Sequence, residues 1–192
     1  MYDETQLKII DATMTLIIEM GYSGATTKNI AALAGVNECT IFRRFREKKE
    51  IVLAALKMPQ WNPELKKENF VYRGELKEDL LSFAKVYSEK VTPRMVKISI
   101  GLRAAELEGV ALSGIMQVPM IFKEVLIEYF SMMQERGLIK VCDMEAIALQ
   151  FISMNFGFVF LDASFGNKLV GVRKEDYIRT SVAVFADGIS VK

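Results

Sequence analysis

The sequence predicts an all-α fold: a small three-helix head followed by a larger helical body. Three observations predict it. Apolar residues recur at helical spacing along most of the chain. No run shows the strict alternation of a strand. Residues that start and stop helices fall at the ends of the periodic segments.

The first segment places Ile9, Ile10, Thr13, Leu16, Ile17 and Met20 on one helical face, and Lys8, Asp11, Thr15 and Glu19 on the other. Gly21 stops it. Thr26 and Thr27 can cap a second helix, whose inward residues are Ile30, Ala31 and Ala34; Gly35 ends it. Asn37 is a good N-cap for a third helix, with Ile41 and Phe45 one turn apart on its inner side. A fourth helix starts near Glu47 and runs to about Leu56. Pro59, Trp61, Pro63 and Gly74 then mark a linker over residues 58–74. Longer helices follow at roughly 75–91, 93–105, 119–136, 143–165 and 174–189. The expected domains are residues 1–47 and 48–192, with 47–74 as connecting helix and linker.

Composition narrows the function. Twenty-five Lys and Arg face 24 Asp and Glu, a net charge of +1 over 192 residues. Any nucleic-acid site must therefore be a local patch. Histidine is absent, which excludes His triads, His general bases and His metal ligands. No paired acid and base stands at motif spacing, so neither an enzyme, a metal nor a cofactor is expected. Cys39 and Cys142 are too far apart for a local zinc knuckle, and Cys142 reads as structural or incidental. The N-terminus carries Asp3 and Glu4 rather than a basic signal-peptide region. The longest uncharged run, 146–161, is short and includes Gln150, Ser153 and Asn155, which is polar for a membrane span. A cytoplasmic protein is expected.

The second and third helices meet at Gly35-Val36-Asn37. Gly supplies backbone freedom, Val36 plugs the angle, and Asn37 starts the next helix. This is a helix-turn-helix, whose second helix enters the major groove with its N-terminal residues at base edges. Arg43, Arg44, Arg46, Lys48 and Lys49 follow, with Glu47 the one anion between Cys39 and Lys49. Over residues 1–50 the cations and anions are equal at seven each, so the cations are concentrated where phosphates would pass.

The stretch KIIDATMTLIIEMGYSGATTKNIAALAGVNECTIFRRFREKKEIV resembles the TetR family of bacterial transcriptional regulators. Gly21-Tyr22, Thr26-Thr27, Ile30-Ala31, Ala34-Gly35-Val36, Thr40-Ile41-Phe42, Phe45 and Lys48 fall at the family's spacing. The resemblance implies phosphate contacts from Thr27 and Lys28. It places Glu38, Cys39 and Thr40 in the exposed first turn of the recognition helix, and makes Lys48 a clamp on the DNA backbone. The sequence also departs from the pattern. Phe42 stands where tyrosine is usual, Arg44 where histidine is common, and Asn37 where serine caps. The charged Arg44 can replace the hydroxyl contact that Phe42 lacks. Glu38 can accept from a cytosine amino group or complement the helix dipole. With Arg43, these ten residues form the expected DNA-binding set.

The body carries no motif. The run 146–161 is apolar nearly all round, so a partner must cover part of it. The resemblance implies a four-helix dimer interface from the last two helices, with Phe151, Phe158, Leu161, Tyr177, Ile178, Val182 and Phe185 at it. It also implies an effector pocket from Phe83, Tyr87, Met95, Arg103, Phe122, Leu126, Tyr129, Phe151, Asn155 and Phe158. Aromatic and methionine side chains suit an adaptable apolar site. Plain core packing explains the same residues. Arg103 and Glu106 can form a surface pair. The reading is a homodimeric repressor that binds a palindromic double-stranded operator and is released by a small apolar or amphipathic effector. The alternative is a helical small-molecule-binding protein or enzyme that uses the body pocket without specific DNA binding.

Overall fold

The computed structural model describes residues 2–104, 107 and 109–191. These form α1 (Glu4–Gly24), α2 (Thr27–Ala34), α3 (Glu38–Arg44), α4 (Lys48–Leu56), α5 (Leu76–Lys90), α6 (Pro93–Gly101), α7 (Val110–Glu135), α8 (Met144–Phe165) and α9 (Lys174–Ile189). Among the described residues there is no strand, only an isolated bridge between Ile139 and Ser190. The chain forms two compact units, one of Met1–Pro63 with Arg94–Met116, the other of Glu64–Pro93 with Gln117–Lys192.

In the first unit, Asp3 and Gln6 start α1 by a reciprocal capping box with bonds of 2.9 and 3.0 Å. Gly21 breaks the helical path at φ 75°, ψ 171°. Thr13 lies on the buried face because its hydroxyl bonds the Ile9 carbonyl at 2.7 Å. Thr26 caps α2 through the Asn29 N–H. Gly35 then adopts the left-handed conformation at φ 66°, and the Val36 N–H returns to the Ala31 carbonyl. Asn37 occupies the N-cap position of α3, but its side chain makes no capping bond. Ile9, Ile10, Met14, Ile17, Ile30, Ile41, Phe45 and Ile51 form the core. Helix α6 adds Ile98 to it, followed by Leu102 and Leu107.

The expected linker is better anchored than its Pro and Gly content suggests. Trp61, Leu65 and Phe70 are buried. Trp61 donates its indole N–H to Asp11 at 3.2 Å and lies under the Arg94 guanidinium. Helix α7 begins at Val110, not at the expected residue 119, and runs through Pro119.

The second unit centres on aromatic rings. Phe122 stacks on Tyr87 at 4.6 Å and on Phe70 at 5.3 Å; Tyr129 meets Phe83 at 5.0 Å. Asp79 is buried beside them. It accepts from the Arg73 and Gly74 N–H groups and from the Tyr129 hydroxyl, at 2.8 to 2.9 Å. A buried carboxylate is tolerable with such partners. Helix α9 is tied to α8 by the Tyr177 hydroxyl on the Met154 carbonyl and by Tyr177 stacked on Phe158.

Candidate nucleic-acid interface

Helix α3 buries Ile41, and Phe45 is buried just beyond it, so the opposite side is held outward. Asn37, Cys39, Phe42, Arg43 and Arg44 are exposed there; Glu38 and Thr40 are half-buried. Lys28 is exposed on α2 and Thr27 half-buried. The fold thus brings the expected DNA-binding residues to one helix pair and the start of α4.

Four of these residues already have protein partners. The Thr27 hydroxyl donates to the Glu38 carboxylate. Arg44 pairs with Asp3 at 3.0 Å. Lys48 is half-buried, donates to the Tyr22 carbonyl at 2.6 Å and lies 3.9 Å from the centre of the Tyr22 ring. Phosphate contact by Arg44 would compete with Asp3, an exposed pair of small strength. Lys48 is anchored more firmly, by a charged hydrogen bond and a ring face together. The role of Asp3 was not legible, because nothing in sequence brings it near Arg44.

The residues expected to line an effector pocket separate into two groups. Phe83, Tyr87, Phe122, Leu126, Tyr129, Phe151, Asn155 and Phe158 lie in the second unit and are buried. Several of their rings meet, Tyr87 and Phe151 each against Phe122, and Phe83 against Tyr129. Asn155 donates to the Phe151 carbonyl within its own helix. Burial pushes the Tyr87 and Tyr129 phenols well above their ordinary range, and the Asp79 carboxylate adds to the effect at Tyr129. Met95 and Arg103 lie in the first unit. Arg103 lines a groove of about 380 Å³ there, with Ile17, Met20, Lys97 and Ile100. Its expected partner Glu106 lies outside the described residues.

Of the residues expected at a dimer interface, Phe151, Ile178 and Val182 turn inward and are buried within the single chain. Phe158 is also buried, while Tyr177 and Phe185 are half-buried. A residue enclosed by its own chain has no surface left for a partner. Leu161 is exposed, and so are Leu149, Phe160 and Phe165 on α8 and Val184 on α9. Helix α8 is long and apolar enough to cross a membrane by length and composition alone. Helix α8 carries apolar side chains on its inward and outward sides alike.

Comparison with known proteins fits this geometry. The model for bacterial regulatory proteins of the tetR family matches residues 9–55, and that for the C-terminal domain of AefR-like transcriptional repressors matches residues 75–188. The chain is 31% identical over 186 residues to the uncharacterized HTH-type transcriptional regulator YvkB of Bacillus subtilis (strain 168), covering 97% of each chain. Its fold is similar to AibR, solved in complex with isovaleryl coenzyme A and operator DNA, with a TM-score of 0.70, 20% identity, and coverage of 94% of this chain and 97% of that one. It is also similar to FadR from Bacillus subtilis in complex with stearoyl-CoA, with a TM-score of 0.68, 21% identity, and coverage of 95% and 98%. The chain belongs to the tetR family of bacterial regulatory proteins, and is a DNA-binding transcriptional regulator rather than an enzyme.

Proposed function

We propose that this protein is a cytoplasmic, ligand-responsive repressor that binds a palindromic operator as a homodimer. Residues 1–47 are the DNA-binding domain; residues 48–192 bind the effector and dimerise, with 47–74 connecting them. The carrying observation is that α3 is fixed from behind by Ile41 and Phe45 while its first turn and Arg43 stay open. Asn37, Cys39, Thr40, Phe42 and Arg43 face the groove edge. Lys28, Arg44 and Lys48 face phosphate, Arg44 by exchanging Asp3 for it.

One recognition helix reads too few base pairs to specify a site. Two-fold pairing places two of them on half-sites one helical turn or multiples apart. The exposed residues Leu149, Phe160, Leu161, Phe165 and Val184 support pairing through α8 and α9, with Tyr177 and Phe185 at the edge.

The effector is a small apolar or amphipathic molecule held among Phe83, Tyr87, Phe122, Leu126, Tyr129, Phe151, Asn155 and Phe158. Two similar folds carry acyl thioesters of coenzyme A, so these come first in a search. Such a ligand would lie against the stacked rings of Tyr87 and Phe122. It releases DNA only if it binds the released arrangement more tightly, by about 1 to 3 kcal/mol of coupling. The test titrates acyl-CoAs of graded chain length, with free acids as controls, into the operator complex. Release by one chain-length class supports the reading. Operator binding unchanged by any amphipathic ligand, with the chain monomeric, overturns it.

A further inference from the structure

We infer that Glu38 is a base-selecting residue that accepts from a cytosine amino group, and that Thr27 positions it rather than contacting phosphate. This rests on the DNA-binding reading of α3. Glu38 stands in the first turn of the recognition helix, the part of a helix-turn-helix that meets base edges. One carboxylate oxygen, Oε1, accepts the Thr27 hydroxyl. The other accepts no hydrogen bond from the described residues, and no described Lys or Arg forms an ion pair with it. The side chain is half-buried, so its freedom is already reduced.

A carboxylate only accepts hydrogen bonds. It is repelled by phosphate and by the acceptor atoms of guanine and thymine. Its good partners in the major groove are the exposed amino groups, and cytosine N4 suits it better than adenine N6, which stands beside the acceptor N7 of the same base. Holding Oε1 on Thr27 restrains the carboxylate and leaves Oε2 without a hydrogen-bond partner among the described residues, which is how a single carboxylate gains selectivity over mere charge. The same bond engages the only hydroxyl hydrogen of Thr27, so that hydroxyl cannot also donate to phosphate while the pair persists.

The experiment first selects the preferred duplex for the wild-type dimer from random sequence. It then measures Kd for every single-base-pair change, for wild type, E38A, E38Q, T27V, T27S and the double variant T27V/E38A. We expect E38A to lose roughly tenfold preference for cytosine at one position per half-site, with other positions unchanged. T27V lowers preference at that same position, T27S restores it, and the double variant behaves as E38A alone. E38Q shifts preference there toward adenine. Thermal unfolding shows which variants remain folded; E38Q and T27V are near-isosteric and carry the test if E38A does not. Uniform weakening of all sequences by T27V, with base preference intact, would make Thr27 a phosphate contact and overturn the inference. Unchanged preference in E38A and E38Q would overturn it equally. Absence of any selected sequence for wild type would instead overturn the DNA-binding reading beneath it.

Discussion

Gly101→Ala tests the close approach of α6 to α1 that the sequence did not announce. A Cβ at residue 101 would lie 2.5 Å from the Ile17 carbonyl oxygen and 2.9 Å from its Cγ2. Ordinary contacts between such atoms are about 3.5 Å, so one helix must move by roughly 1 Å. The obstacle is backbone in the middle of α1, not the end of a flexible side chain. Overpacking of this kind costs about 1–3 kcal/mol. Alanine's better helix propensity, about 1 kcal/mol in a helix interior, offsets little at the last residue of α6. For a chain of this length the expected fall in Tm is roughly 2–10 °C. Gly35→Ala is the contrasting case. Nothing lies within 4 Å of its added Cβ, but φ is 66°. It should lose about 1–2 kcal/mol from backbone strain alone. Thermal unfolding by circular dichroism reads both. If Gly101→Ala is neutral or stabilising, helix propensity governs that position and the α6 to α1 contact is wrong.

Further outcomes follow from individual contacts. Tyr129→Phe removes one of three bonds to the buried Asp79 and should destabilise by about 1.5–3 kcal/mol; an unchanged denaturation midpoint would show that the hydroxyl is not needed there. The raised phenols of Tyr87 and Tyr129 fix the sign of an alkaline effect. The folded state favours the protonated phenol, so this contribution is complete below about pH 10 and is lost as pH rises above it. Urea midpoints measured from pH 8 to 11 should fall only at the upper end, and a steady decline from pH 8 would point to other groups. Phe160→Glu places a charge on the exposed side of α8 and should yield monomers by sedimentation, with intact helicity; a persistent dimer would place the interface elsewhere. Lys48→Met removes the bond to Tyr22 and should lower Tm by a few degrees before any DNA is added; an unaltered Tm with weaker DNA binding would make Lys48 purely a phosphate contact.

The head was legible because its signals are local. Caps, a left-handed glycine and apolar spacing act within a few residues; Thr26 caps α2 and Gly35 turns the chain as expected, while Asn37 takes the N-cap position without a side-chain bond. Partners distant in sequence were not legible. Asp3 on Arg44 and Trp61 on Asp11 depend on how helices pack, which periodicity does not encode. A proline suits a helix start, so the sequence predicts a helix from 119, yet α7 begins at Val110 because the turns on either side carry Pro119 within it. In α8 the apolar residues surround the helix, so no stripe marks which side turns inward. Phe151 and Leu161 look alike in sequence, yet one is fully buried and the other 38% exposed.

The most direct test of the account is selection of duplex DNA from a random pool by the purified protein, followed by anisotropy titration of the winning sequence. The expected winner is a palindrome with half-sites about one helical turn or multiples apart, bound by two subunits per site. A pool that never enriches, or an enriched site that is not symmetric and binds a single subunit, would contradict it.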